Sequence, residues 1–510
     1  MHPELPQSTA TRHIAVMDTT LRDGEQTPHV AYSPAEKLQI ARMLLDDVGV
    51  DRIEVASAGA SDAEGEAVER IVEWARSAGQ LERIEVLGFC DGARSPRWIA
   101  ERGARRMNLL TKGSEAHCRQ QLLKTPAEHF VDAEASLTAA RSCGVVVAGA
   151  YLEDFSRGFS AGPAYVFELT ERLLARGVQR VFLADTLGCL APTEVDQQVR
   201  AMIAAFPSAC FEFHAHDDYG LATANGLAAV AAGVSGVHTS VNGLGERAGN
   251  ARLCELVMAL HDHGAVQTSV REAALCDVAR WVERCSGKLL ADNAPIVGRD
   301  VFTQTAGIHA DGDRKGELYA SRLDPARLGR RRSYALGKLA GRASLDQNLD
   351  RLGIVLGEEE RTRLLQRVVA LGDRKQRIEA SELRFLIDDL RGCHAPPRVI
   401  RTYSVTVLHE AQAEASLELL LDGRHVRASA RGVSSLAALV AALQDAAAQA
   451  GLDLLAHMQL DARVLPGGLF ETAIVLDETR VIGVDADHIV ATVAAIEKLL
   501  QLTVTADRRS

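Results

Sequence analysis

The chain is 510 residues long, with 47% hydrophobic and 25% charged residues and a formal net charge of -11. That exceeds one ordinary domain, because about 150 residues per domain is usual and a single α/β barrel absorbs about 250. The composition excludes a mainly disordered chain, the 4% aromatic content disfavours a base-stacking nucleic-acid platform, and the acidic balance argues against a general polyanion binder. Nine cysteines are scattered without a C-x-x-C, so a reducing cytoplasm is expected rather than a disulfide framework. The opening MHPELPQSTATRH has no apolar targeting segment, and no run of about 18 apolar residues predicts a membrane span.

Between about Ile14 and Leu260, short β-branched or aliphatic runs alternate with stretches of helical period. The runs are His13–Asp18, Arg52–Ser57, Arg83–Phe89, Arg106–Leu110, Val145–Glu153, Arg180–Asp185, Cys210–Asp217 and Gly236–Asn242. Between them, Ser33–Val48 places Leu38, Ile40, Ala41, Leu44 and Leu45 at the spacing of an amphipathic helix. Eight such units predict an α/β fold, a closed (β/α)8 TIM barrel over residues 1–264. Residues 265–391 read as charged helical subdomains covering the barrel mouth, and 392–400 as a linker containing Pro396 and Pro397. Residues 401–510 read as strands, helix, strands, helix, which predicts a C-terminal α+β domain of regulatory or dimer-forming type.

Most of the apolar runs end in reactive side chains, and in a barrel those ends share one mouth. They include Asp18 to Gln26, Glu54 and Ser57, Glu153-Asp154, Asp185-Thr186, His214 to Asp218, and Asn242 to Asn250. His214 and His216 are two apart on a predicted strand, so both face one side. With a carboxylate they suit Zn, Mn or Fe(II), and further oxygen ligands would favour Mg or Mn. Asp23 is the best carboxylate candidate, and Asn250 can add an amide oxygen. Arg22 beside Asp23 predicts a shared anion, a carboxylate or a developing oxyanion; the plain alternative is that it neutralises Glu25 or Asp18. Glu153 and Asp185 read either as acid–base groups or as holders of other ligands. The loop Gly243 to Asn250 lacks G-x-G-x-x-G spacing; it reads as a phosphate-approaching loop or as a tight loop that places Asn250. The run Arg330-Arg331-Arg332 reads as a solvated face or as a contact for coenzyme phosphates.

Leu21-Arg22-Asp23-Gly24-Glu25-Gln26, Phe213 to Gly220, and Asn242 to Asn250 resemble signatures of the 2-isopropylmalate, citramalate and homocitrate synthase family, metal-dependent barrel acyltransferases. The resemblance implies a Claisen condensation of acetyl-CoA with a 2-oxo acid. It points first to 2-oxoisovalerate giving 2-isopropylmalate in leucine biosynthesis, then to pyruvate giving (R)-citramalate. An acyl-CoA lyase or aldolase on the same metal site is the alternative from another class. The resemblance implies a divalent metal (Mg, Mn or Zn) on Asp23, His214, His216 and Asn250, with Arg22 and Glu153 catalytic. Gln26, His117 and Thr186 would bind the oxo acid, and Asn242, Gly243 and Gly245 the coenzyme. His309 in Thr305 to Asp311 matches a histidine that a neighbouring subunit contributes, with Tyr319 or Tyr334 beside it. A cytoplasmic homodimer with a shared active site and an amino-acid effector is therefore expected. His29 stands where the opening signature often continues with glycine.

Overall fold

The computed structural model describes residues 12–316, 318–373, 378, 380–391, 399–408, 412–421, 424–451, 458–464, 468–476 and 479–507. The opening segment read for targeting, apart from Arg12 and His13, and the expected linker, apart from Val399 and Ile400, lie outside the described residues. The chain divides into two compact units, Met1–Phe302 with Ser321–Arg331, and Thr303–Ala320 with Arg332–Ser510.

The first unit is the barrel. Its strands are β1 (Ala15–Asp18), β2 (Arg52–Ser57), β3 (Ile84–Phe89), β4 (Arg106–Lys112), β5 (Val146–Glu153), β6 (Arg180–Asp185), β7 (Phe211–Ala215) and β8 (Gly236–Thr239). All pair in parallel, and β8 returns to β1 with Ala15 opposite Gly236, which closes the ring. Helices start where the local chemistry asks for them. Ser33 accepts the Glu36 amide while Glu36 accepts the Ser33 amide, and Pro34 opens the helix Pro34–Arg42. Thr125, Pro126 and Glu128 repeat that arrangement at Pro126–Ser142.

Two cores result. The larger lies between strands and helices and is aliphatic, as the low aromatic content requires. The smaller fills the barrel interior with Met17, Leu87, Tyr151, Phe182 and Ala184. Beneath it, Arg52, Arg106 and Arg180 each begin an alternate strand; Arg52 and Arg180 meet both Glu85 and Glu212, and Arg106 meets Glu85. This ionic plug replaces the aliphatic layer usual at that depth.

Buried Lys37 ties the loop after β1 to the surrounding helices. Its ammonium lies 2.6 Å from Glu25, also pairs with Glu64, and donates to the Leu21 carbonyl at 2.9 Å. Lys37→Met should lower stability by about 3–5 kcal/mol, because two half-buried carboxylates lose their cation. A urea midpoint equal to that of the parent protein would refute the clamp.

The barrel unit is larger than the sequence suggested. Helix Leu275–Ser286 packs Leu275, Val278, Ala279 and Val282 into the barrel's own core, beyond the boundary expected at 264. Ser321–Arg331 also returns to this unit. There the Arg327 guanidinium donates to both Glu272 oxygens at 2.7 and 2.6 Å and to Asp262 at 2.7 Å. Arg330 donates to the Gly298 and Arg299 carbonyls and lies over Phe302, so it anchors this segment.

In the second unit, helices Arg342–Arg351, Glu358–Asp373 and Leu383–Leu390 share a core around Leu345, Leu364 and Leu383. The C-terminal part repeats one plan. Strands β9 (Ile400–Leu408), β10 (Gln412–Leu421) and β11 (Arg424–Gly432) form an antiparallel sheet followed by helix Ser435–Gln449. Strands β12 (Gln459–Val464), β13 (Phe470–Leu476) and β14 (Thr479–Asp485) form another, followed by His488–Asp507. The sequence pattern predicts strands at Met458–Val464 and Thr472–Leu476 and then a helix at Ala486–Leu500, and so omits β14. Among the described residues, no helix is long and apolar enough to cross a membrane.

Candidate active site

The chain turns sharply after β1. The amides of Arg22, Asp23 and Gly24 all donate to the Thr19 carbonyl, and Asp18 accepts the Thr20 amide at 2.9 Å. This turn sets Arg22 and Asp23 at the mouth, opposite His214 and His216 at the end of β7. One ligand atom from each of Asp23, His214 and His216 lies within 4.8 Å of the others, and all three residues are buried.

Asn250 arrives through an antiparallel bridge to His216, with its amide nitrogen donating to the Leu244 carbonyl at 2.9 Å. The glycine loop is built for this approach. A Cβ on Gly249, which has φ of +90°, would stand 1.8 Å from the Gly243 carbonyl oxygen, and one on Gly245 would strike the Asn250 amide. Asn242 donates to the Ala279 carbonyl at 2.8 Å. Asn242, Gly243 and Gly245 therefore have a local task, holding the loop that places Asn250. His29 has φ of +68°, the left-handed region where glycine is at ease, which gives a physical reason for glycine at this position in related signatures.

Asp23 Oδ1, His214 Nδ1, His216 Nδ1 and Asn250 Oδ1 are buried without a hydrogen-bond partner. Bare buried polar atoms are costly, and this set of imidazole, carboxylate and amide donors fits a divalent cation. Electrostatics agree. Burial pushes the Asp23 carboxyl up, but Arg22 and the two histidines together hold it well below the usual carboxylate range. Burial pulls His216 down to about 4, so its ring is neutral and able to ligate at neutral pH.

Arg22 is held on three sides. Its Nε donates to Glu54 at 2.5 Å, one terminal nitrogen to Asp23 at 2.8 Å, and the other to the Tyr151 hydroxyl at 2.9 Å. Glu54 also accepts from Asn108 at 2.7 Å. Three of the five guanidinium N–H bonds are thus committed and two remain for an anion. Sequence reasoning noted Glu54 only as a polar strand residue and missed Tyr151 and His238. A lone tyrosine within the aliphatic run of β5 was the available signal.

The other expected residues fall into separate groups. Glu153 ends β5 and pairs with Lys112. His117 accepts from Arg157 at 3.2 Å and lies 3.7 Å from Asp154, whose amide donates to the Thr186 hydroxyl at 2.8 Å. Gln26 is exposed at the end of the turn Gly24–Gln26. Asp185 accepts the amides of Cys189 and Leu190 at 3.1 Å each, which makes it a loop cap. In the second unit, the His309 and Tyr319 ring centroids lie 4.2 Å apart in a tilted arrangement, and His309 Nδ1 meets the Gln304 side-chain oxygen Oε1 at 3.1 Å. Tyr334 donates instead to Asp313 at 3.2 Å, so Tyr319 is the tyrosine beside His309.

Burial pulls three histidines down from 6.5, His238 to about 3 and His129 and His216 to about 4. The unfolded chain therefore binds more protons below pH 6.5, and stability should fall as pH drops toward 4. Burial raises Asp18 to about 7, which works in the opposite sense and offsets part of the loss. A urea midpoint at pH 5 no lower than at pH 7 would refute this prediction.

A closed barrel with Asp23, His214, His216 and Asn250 at its mouth beside a clamped arginine has the form of a barrel enzyme with a candidate divalent-metal site. The HMGL-like family model matches residues 13–282, and a homocitrate synthase post-HMGL domain-like model matches 296–376. A Methanopyrus kandleri protein named (R)-citramalate synthase is 34% identical over 89% of this chain and 88% of its own length. A 2-isopropylmalate synthase of Methanocaldococcus jannaschii is 31% identical over 85% of this chain and 83% of its own. The chain belongs to the 2-isopropylmalate, citramalate and homocitrate synthase family and is an acyltransferase enzyme. Enzymes of this family condense acetyl-CoA with a 2-oxo acid and depend on a divalent metal.

Proposed function

We propose that the enzyme condenses acetyl-CoA with a short 2-oxo acid, pyruvate first, to give a 2-alkylmalate and free CoA. The observation that carries the choice of pyruvate is Tyr151. Its ring occupies the barrel interior directly beneath Arg22 and stands edge-on to His214 at 5.7 Å, and in this reading it limits the size of the oxo acid's side chain. The abundance of relatives named (R)-citramalate synthase supports the same reading. 2-Oxoisovalerate is the second reading, favoured by relatives named 2-isopropylmalate synthase.

In this reading Asp23, His214, His216 and the Asn250 amide oxygen hold a divalent cation, which supplies Lewis-acid polarisation of the oxo acid's carbonyl. His309 takes the methyl proton of acetyl-CoA. Gln304 occupies its Nδ1, which leaves Nε2 as the base. The resulting carbanion forms a bond to the keto carbon, the electron pair displaced onto oxygen meets the two uncommitted N–H bonds of Arg22, and that oxygen takes up a proton equivalent to the one His309 removed, giving the product's hydroxyl. Water then cleaves the thioester, releasing the CoA thiol and the new carboxylate. Glu153, His117 and Thr186 position the substrates, Tyr319 supports His309, and a second copy of the chain supplies His309. The C-terminal domain pairs copies and receives an amino-acid effector.

CoA thiol release from acetyl-CoA with pyruvate, 2-oxobutyrate and 2-oxoisovalerate, with and without chelator, tests this. Pyruvate should exceed 2-oxoisovalerate in kcat/KM by at least about tenfold, since each added methyl group in a tight pocket costs about 1–3 kcal/mol. A preference for 2-oxoisovalerate would overturn the choice of pyruvate. Absence of thiol release with every oxo acid tried would overturn the condensation, and chelator-insensitive release the metal.

A further inference from the structure

Beneath Arg22 a buried polar chain descends through the barrel. The Tyr151 hydroxyl accepts from Arg22 at 2.9 Å and lies 3.1 Å from Glu54 and 3.4 Å from His238 Nδ1. On the far side of that ring, His238 Nε2 lies 3.0 Å from Glu212. Arg52 donates to both Glu212 oxygens at 2.7 Å. Every side chain from Tyr151 to Glu212 is at most 3% exposed.

The tautomer follows from these contacts. Glu212 accepts the Nε2 proton of His238, so a singly protonated ring offers its Nδ1 lone pair to Tyr151. The phenol can then turn its proton toward His238 or Glu54 and present an oxygen lone pair to Arg22. Charge balance does not require His238, because Arg52 already pairs with Glu212. Nor does packing require its polarity. The ring sits among Phe182 at 4.5 Å, His214 at 5.5 Å and Tyr151 at 5.6 Å, where phenylalanine would fill the same space without burying polar atoms.

We propose that His238 and Glu212 are positioning residues, which orient the Tyr151 hydroxyl so that it aims the Arg22 guanidinium at the oxygen that gains charge in the reaction. The proposal rests on the condensation reading for its assay, and it assigns work to barrel-interior groups that this reading leaves idle. Mispositioning Arg22 should weaken stabilisation of the transition state more than binding of the ground state, and so lower kcat with little change in KM.

The test compares the parent enzyme with His238→Phe, Tyr151→Phe and the double variant. It reads thiol release with pyruvate, bound metal by elemental analysis, calorimetric pyruvate affinity and thermal unfolding. Each single variant should lose about tenfold in kcat, with KM and pyruvate Kd changed less than about twofold and full metal content. The double variant should be no slower than Tyr151→Phe, because both act through one hydroxyl. Undiminished kcat in His238→Phe, losses that multiply in the double variant, or a loss that tracks missing metal would each overturn the proposal. Should His238→Phe not fold, Tyr151→Phe, which removes a single oxygen, decides the matter: undiminished kcat there overturns it. A parent enzyme that releases no thiol with any oxo acid fails the condensation reading itself, a result distinct from an active parent with unaffected variants.

Discussion

A His214→Ala variant should fold, lose its divalent cation and release CoA thiol at least about 1,000-fold more slowly than the parent enzyme. His214 stands at the end of β7 with a buried Nδ1 that no protein group satisfies. Alanine removes one of three donors whose ligand atoms lie within 4.8 Å of one another, and no described neighbour can replace it. The barrel itself loses little, because the His214 side chain contributes only ring edges to Tyr151 and His238, and the backbone pairing of His214 with Ala184 does not depend on it. A partly filled gap there should cost about 1–2 kcal/mol. Elemental analysis and thiol release are the measurements. A variant with full metal and full turnover would remove His214 from the ligand set.

Arg22→Lys should reduce kcat by about 100-fold or more while the barrel stays folded. Lysine keeps the charge near Glu54 and Asp23, but one ammonium cannot reach Glu54, Asp23 and Tyr151 together and still face a substrate oxygen. Arg22→Ala should add a stability loss of about 3–5 kcal/mol, because it leaves Glu54 and Asp23 buried without their shared cation. Steady-state kinetics and urea unfolding separate the two effects. Parent-like kcat in Arg22→Lys would show that the fork has no role in the reaction.

Much of this site was readable before any tertiary structure. The runs Arg52–Ser57 and Arg180–Asp185 carry the same bounds in sequence and structure, because β-branched and aliphatic residues between turn signals are a local pattern. The H-x-H pair and the Arg22-Asp23 turn were legible for a related reason, since strand alternation and adjacency set their directions. Strand β14 was not read. Thr479–Asp485 pairs back onto β13 across a short connection, and its alternation merges with that of the preceding run.

The barrel's true extent was illegible for a different reason. Ser321–Arg331 looks like a charged loop, and only the approach of Arg327 to Asp262 and Glu272 shows that it belongs with the barrel. The partners of Arg22 were hidden in the same way. Glu54, Tyr151 and His238 sit on β2, β5 and β8, and nothing in their local sequence says that they meet.

The sequence by itself determined the alternation of strands and helices, the polar strand ends and the residues able to ligate a metal, because each depends on neighbours a few positions away. Tertiary structure alone decided which atoms are left bare for a cation, where the Arg22 fork points, and that the glycine loop serves Asn250. Those outcomes depend on ring closure, which sets Ala15 beside Gly236 and turns eight inward faces, far apart in the chain, onto one axis.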